Sequence, residues 1–280
     1  IHQNTLIKKM QSLHYQNTYM NEEKISYKDL INGDIPPWMM RFIKGVGKTI
    51  NTYSMINNGE KIIIGASGGK DSLALTLALA LRKKWIKDDY SIEGVMIDWK
   101  EHPIEEKGRE KIEEFFDALN VPLTVLYESQ FPTSFKDDFN CYLCSRNRRR
   151  ILFSWAEEHN ERTIALGHHL DDLVETTLMN MCFRAKFSTM NPVQEFFDGK
   201  IRIIRPLIET KENVTKRIRD VYDIPVIKPV CPYDQTNVRA RLKPIVKELC
   251  HIDKLTREHI YASHDFSSLK NSKPIWNEKK

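Results

Sequence analysis

The sequence predicts an α/β fold, a five-stranded parallel sheet covered by helices on both faces. Three observations carry this. Short apolar runs alternate with amphipathic segments of crossover length. Several of the runs are apolar throughout rather than alternating, as strands buried on both faces are. And the first run, "KIIIGAS", stops at glycines and a lysine before a helical pattern begins, the strand–loop–helix form of a ligand-binding turn.

Taken in order, residues 1 to about 36 are polar and irregular and break at Pro36 and Pro37. "WMMRFIKGVGKTINTYSM" then has apolar residues at helical spacing (Met40, Phe42, Ile43, Val46, Ile50). "KIIIGAS" is a buried strand, followed by the helix "DSLALTLALALRKKW". "IEGVMID" is the second strand, and "EEKGREKIEEFFDALN" a helix with Ile112, Phe115, Phe116 and Leu119 on one face. The strand "LTVLYE", the helix "LCSRNRRRILFSWAEEHN", the strand "RTIALG" and the helix "DDLVETTLMNMCF" follow. "KIRIIRPL" is the fifth strand. "KENVTKRIRDVY" and "NVRARLKPIVKELC" are helical, the second interrupted by Pro244. The last 15 or so residues read as a frayed tail. This divides the chain into an N-terminal extension, partly helical, over 1–44, a main domain over 45–250 and a tail over 251–280.

Composition bounds the function classes. A chain of 280 residues with 41% hydrophobic and 29% charged residues is an ordinary globular protein. No apolar run approaches the ~20 residues of a membrane span, and the polar N-terminus has no signal-peptide core. The expected compartment is the cytoplasm. The chain starts at Ile1, pointing to a trimmed start. Net charge is only +5, but Arg146, Arg148, Arg149 and Arg150 are clustered, as are Arg239, Arg241 and Lys243. Such clusters meet phosphates or form solvated helix faces. Five cysteines in a cytosolic chain argue against a disulfide framework.

The loop after the first strand, Ala66, Ser67, Gly68, Gly69, Lys70, Asp71 and Ser72, has the physical parts of a phosphate cradle. Its glycines let backbone N–H groups converge. The helix start adds partial positive charge, Lys70 a full one, and two serines supply hydroxyls. The spacing is neither the common P-loop, which has four residues between its glycines, nor G-x-G-x-x-G. On "SGGKDS" it resembles the pyrophosphate loop of the ATP-pyrophosphatase (PP-loop) superfamily, whose members split ATP between its α and β phosphates and adenylate a substrate.

A second loop, "ALGHHLDDLVETTLMN", follows the fourth strand. Gly167 and His168 would face the nucleotide, with Asp171, Asp172 and Glu175 near the helix start. Two carboxylates opposite a triphosphate could hold Mg²⁺; helix capping is the competing role. Asp98, at the end of the second strand, is a further nucleotide-site candidate.

The cysteines leave alternatives open. "CYLC" spaces Cys141 and Cys144 for one metal or cluster. Cys231 in "VIKPVCPYD" is the best third member, Cys182 reads as a core residue, and Cys250 has no evident partner. A cluster with one iron not held by the protein, a redox dithiol and a three-cysteine zinc site completed by a histidine or Asp234 all fit.

Together, "GKTINTYSMINNGEKIIIGASGGKDS", "MIDWKEHP", "CYLCSRNRRRILF", "ALGHHLDDLVETTLMN", "IRIIRPL" and "IPVIKPVCPYDQTNVRA" resemble the tRNA 2-thiocytidine synthetase (TtcA) family over roughly residues 45 to 250. The resemblance implies ATP-dependent thiolation of a cytidine at position 32 of the tRNA anticodon loop, with ATP, Mg²⁺ and a [4Fe-4S] cluster held by Cys141, Cys144 and Cys231. It also implies catalytic roles for Lys70 and Asp71, a sulfur donor such as a cysteine desulfurase, and a homodimer. One departure stands out: many members carry a second late cysteine where this chain has Asp234. The rival readings are a uridine 2-thiolase, which would carry extra Cys/His pairs, and a non-catalytic zinc- and RNA-binding protein.

Overall fold

A computed structural model describes residues 26–86, 90–131, 141–227 and 238–270, excluding the side chain of Cys141. Cys231 and Asp234 lie outside the described residues.

The core is an alternation of strands and helices: β1 (Glu60–Ala66), α3 (Lys70–Arg82), β2 (Tyr90–Trp99), α4 (Glu106–Ala118), β3 (Leu123–Glu128), α5 (Cys141–Glu158), β4 (Thr163–Ala165) and α6 (Leu170–Arg184). Two helices precede it, α1 (Tyr27–Asn32) and α2 (Pro37–Thr52). A hairpin follows, β5 (Val193–Phe196) and β6 (Ile201–Ile204), then α7 (Glu212–Val221), α8 (Val238–Ile252), α9 (Thr256–Ala262) and a 3₁₀ turn at Ser267–Leu269.

Among the described residues the sheet has six strands in the order β3-β2-β1-β4-β6-β5, not five. β5 runs antiparallel to β6, so the sheet is not wholly parallel. The extra strand is short and half-buried, and it turns back through Phe197, Asp198 and Gly199, all at positive φ. In sequence that turn merges with a polar loop, and an edge strand covered on one side lacks the continuous apolar run of the interior strands. β1 pairs in parallel with β2 on one side and with β4 on the other. The chain reverses direction across the sheet between β1 and β4, and the loops that follow these two strands are therefore neighbours at the switch point.

Period-two alternation divides the β1 isoleucines between two layers. Ile62 and Ile64 face the larger core with α2, α3 and α4, while Ile63 faces Val95, Ile164 and the α5 residues Leu152, Trp155 and Ala156. All three isoleucines are fully buried. β1 is thus anchored from both faces, and its C-terminal loop is held in a fixed position.

Four further expectations are corrected. The polar N-terminal region contains α1, capped by Ser26 in a capping box with Asp29. α8 runs unbroken through Pro244, because packing on α6 through Leu242 and Val246 outweighs one lost backbone bond. The segment beyond 255 is structured to residue 269, with Phe266 buried against Tyr261 and His264. Cys182 is exposed near the end of α6 rather than in the core.

Candidate active site

The cradle forms as its glycines require. Gly68 adopts φ +71°, a conformation side chains resist, and its carbonyl accepts from Ile227 N–H at 2.9 Å. Gly69 is the N-cap of α3 and supplies no side-chain cap. The first-turn N–H groups of α3 are therefore left for an anion rather than closed by a serine or aspartate. Two hydroxyls brace the loop from within. Ser72 Oγ donates to Gly69 O at 2.9 Å, and Ser67 Oγ accepts from Gly69 N at 3.3 Å.

The β4 loop presses against this turn. A Cβ on Gly167 would fall 2.8 Å from Asp71 C and 2.9 Å from Ser72 N, so only glycine allows the two loops to meet. His169 N-caps α6: its Nδ1 accepts from Asp172 N–H at 3.2 Å, and Asp172 Oδ2 accepts from His169 N–H at 3.0 Å. With Nδ1 an acceptor, the imidazole proton sits on Nε2, 3.7 Å from Asp71 Oδ1.

A cavity of about 410 Å³ opens over both loops. Its polar wall includes Ser67, Asp71, His168 and Asp172, its apolar wall Val95, Ile97 and Leu166. Ser145, Arg148 and Arg149 reach it from α5, the helix whose first turn carries Cys141 and Cys144. Arg148 lies 5.7 Å over the Trp99 ring. Arg150 turns instead to Asn147 Oδ1, and Asn147 donates to the carbonyls of Ser129 and Gln130. This ties α5 to the end of β3. Gln130 in turn donates to Cys144 Sγ at 3.2 Å, next in sequence to the cavity-lining Ser145. Cys144 and Cys250 are both half-buried free thiols, and Cys250 Sγ accepts from Arg257.

Lys70 does not reach into the cavity. Its ammonium pairs with Asp71 Oδ2 at 2.8 Å and Glu212 Oε1 at 3.0 Å. Burial disfavours the charged amine, yet Asp71 and Glu212 outweigh it and raise the Lys70 pKa. Burial likewise opposes ionisation of Glu212, but Lys216, Lys70 and Lys243 hold its carboxyl down to about 2. Thr215 Oγ1 donates to Asp71 Oδ1 at 2.6 Å. The sequence does not mark Glu212 and Thr215 as site residues, because their α7 segment is distant in sequence and has no motif of its own; the first-turn glutamate of "KENVT" is the local signal.

Asp171 and Asp98 stand apart from the residues that line the cavity. Asp171 accepts from Glu212 N–H at 2.7 Å and from Arg257 Nε at 2.5 Å, joining α6 to α7 and α9. Asp98 is buried and accepts from Ile104 N–H at 2.8 Å. Both lie outside the cavity wall. Asp172 remains on it, with Oδ1 3.7 Å from Arg239. Glu175, one turn along α6, is buried with Oε2 unpartnered, and burial first, then Asp172, raises its pKa to about 7. Among the described residues no three Cys, His, Asp or Glu side chains gather as a metal site.

Residues 41–248 match the PP-loop domain family. The chain belongs to that family, in its tRNA-cytidine 2-sulfurtransferase branch. It is 34% identical over 235 residues to the tRNA-cytidine(32) 2-sulfurtransferase of Burkholderia multivorans, covering 81% of this chain and 67% of that protein. The protein of the same name from Burkholderia cenocepacia is 34% identical over 215 residues, covering 74% of this chain and 63% of that one. The chain thus spans about two thirds of the length of these relatives. In structure it is similar to the U34-tRNA thiolase NcsA from Methanococcus maripaludis, which was solved with its [4Fe-4S] cluster. The TM-score is 0.65 at 21% identity, over 81% of this chain and 77% of that one. This similarity is one of fold.

Proposed function

We propose that this PP-loop protein is an ATP-dependent tRNA thiolase that converts a cytidine of the anticodon loop, position 32, to 2-thiocytidine. The observation that carries the proposal is convergence on one cavity. The loop after β1 lines it, and so do Ser145, Arg148 and Arg149 of α5, the helix that begins at the Cys141–Cys144 pair.

The residues present fit ATP. Uncapped N–H groups at the start of α3 suit the β and γ phosphates, with Lys70 released from Glu212 to meet them. The donor set also fits a [4Fe-4S] cluster: Cys144 is a free thiol, and Cys141 begins the same helical turn. Cys231 would be the third ligand. When bound, the cluster supplies an iron not held by the protein, at which sulfide can be presented. Mg²⁺ would take Asp172 and phosphate oxygens, since Asp171 is already committed to Arg257 and the α7 backbone.

The C2 carbonyl oxygen of cytidine is a poor leaving group. Attack by that oxygen on the α-phosphorus of ATP breaks the bond to the β-phosphate, and pyrophosphate departs. The α3 N–H groups and Lys70 stabilise the charge that grows on it. Asp71, held by Thr215 and Lys70, orients that lysine. Sulfide then adds at C2, the C2–O bond breaks, and AMP leaves. Arg148 and Arg149 face this part of the cavity and would hold tRNA beside it. Sulfur would come from a donor such as a cysteine desulfurase, and the working unit would be a cytoplasmic homodimer. No helix among the described residues is long and apolar enough to cross a membrane.

The proposal is tested by measuring pyrophosphate release from ATP with unmodified tRNA, using Cys144→Ser protein. Adenylation without thiolation is expected. Pyrophosphate release that ignores the presence of tRNA would contradict it.

A further inference from the structure

Gln130 is 4% exposed, and its side-chain amide points at a sulfur: Nε2 donates to Cys144 Sγ at 3.2 Å. Buried polar groups are held by hydrogen bonds, and a neutral thiol is a weak acceptor for one. A thiolate is a strong acceptor, because a bond to an ionised partner is about twice as strong as one between neutral groups. The buried donor therefore suits Cys144 in the form that holds a metal.

The backbone that carries Gln130 is fixed from two directions. Its N–H donates to Glu101 Oε2 at 2.8 Å, and its carbonyl accepts from Asn147 Nδ2 at 3.0 Å. The same two side chains hold the residue before it. Ser129 Oγ donates to Glu101 Oε1, and the Ser129 carbonyl accepts from Asn147 Nδ2 at 3.1 Å. Glu101 follows β2, Ser129 and Gln130 follow β3, and Asn147 lies three residues after Cys144 on α5, on the same side of that helix. Asn147 is buried, and its Oδ1 accepts from Arg150. One carboxylate thus ties the Gln130 segment to the end of β2, and one amide ties it to the helix that bears the cysteine. The approach of the Gln130 amide to the sulfur is set by these anchors as well as by the contact itself.

We infer that Gln130 is a positioning residue for Cys144 as a ligand of the iron–sulfur cluster. Its N–H holds the cysteine side chain and draws electron density from the sulfur. A donor dipole at a ligand sulfur favours the form of the cluster that carries more negative charge, the reduced one, and so raises the reduction potential. The inference rests on the thiolase reading for the presence of the cluster, and it adds the group that tunes one of its ligands.

The test reads the cluster and not turnover. The full chain is reconstituted anaerobically with iron and sulfide, and its midpoint potential is measured by redox titration followed by visible absorption and electron paramagnetic resonance. Wild type is compared with Gln130→Met, which keeps the length of the side chain and removes the donor, and with Gln130→Leu, a second donor-free side chain of different shape. Iron content and the unfolding midpoint are recorded for each. Both variants are expected to shift the one-electron reduction equilibrium about tenfold toward the oxidised form, a potential lower by about 59 mV, with iron content unchanged. A merely structural role would lower the unfolding midpoint and leave the potential of the loaded protein where it was. Reduction equilibria within twofold of wild type in the loaded variants would overturn the inference. A variant that folds but holds no iron would overturn it too, since the bond is inferred to tune a ligand and not to create one. Wild-type protein that assembles no cluster would contradict the thiolase reading itself, whereas a loaded wild type with unmoved variants contradicts this inference alone.

Discussion

Lys70 sits between two acids, Asp71 and Glu212, and its removal separates chemistry from folding. Lys70→Ala is expected to lower ATP–pyrophosphate exchange by about 10²- to 10³-fold. Iron content after reconstitution should be unchanged, because Lys70 contacts Asp71 and Glu212 and no cysteine. Glu175 gives a second prediction at this scale. Its folded pKa lies above its ordinary value of 4.5, at about 7. The folded state therefore holds a proton more tightly than the unfolded chain, and stability is greatest below pH 4.5 and declines as pH rises to 7. A displacement from 4.5 to about 7 corresponds to about 3 kcal/mol. Glu175→Gln should flatten this decline, raising the unfolding midpoint at pH 8 while leaving it nearly unchanged at pH 4.5. Equal effects at both pH values would refute the buried-acid account. Glu212 acts in the opposite direction: its folded pKa of about 2 contributes stability above pH 4.5 that is lost as pH falls toward 2.

At the scale of elements, the site depends on how closely two strand-to-helix loops approach. Gly167→Ala should displace the first turn of α3 and weaken ATP binding at least tenfold, measured by calorimetry, with the far-ultraviolet spectrum retained. α5 links the cysteine pair to the cavity, and Arg148→Ala should reduce the salt slope of tRNA binding by about one. The interior strands and the cradle were legible in the sequence because their signals are local: apolar runs, glycines at a turn, a lysine at a helix start. The edge strand β5 was not, since its alternation is short and its turn merges with a loop. The roles of Asp98 and Asp171 were hidden for a different reason. An acid at a strand end or a helix start binds whatever folding brings to it, here the backbone of Ile104 and the pair Arg257 and Glu212. The unmatched charge of Arg205 could not be seen either. "IIRPL" shows an arginine after an apolar run, but only the fold shows that Arg202 has Glu60 and that Arg205 has no acid partner among the described residues.

At the scale of the molecule, the proposed nucleotide activation and sulfur delivery meet at one cavity through the topology of the sheet. β1 and β4 are adjacent at the switch point, and the helix between β3 and β4, which bears Cys144 in its first turn, lines the cavity with Ser145, Arg148 and Arg149. One measurement tests this directly. Protein reconstituted anaerobically with iron and sulfide is incubated with unmodified tRNA, ATP, Mg²⁺ and a sulfide source, and the digested tRNA is read by mass spectrometry. Formation of 2-thiocytidine that requires both ATP and Cys144 is the predicted result. Thiouridine in its place would contradict the assigned base, and unmodified tRNA from protein loaded with both ATP and cluster would contradict the shared cavity itself.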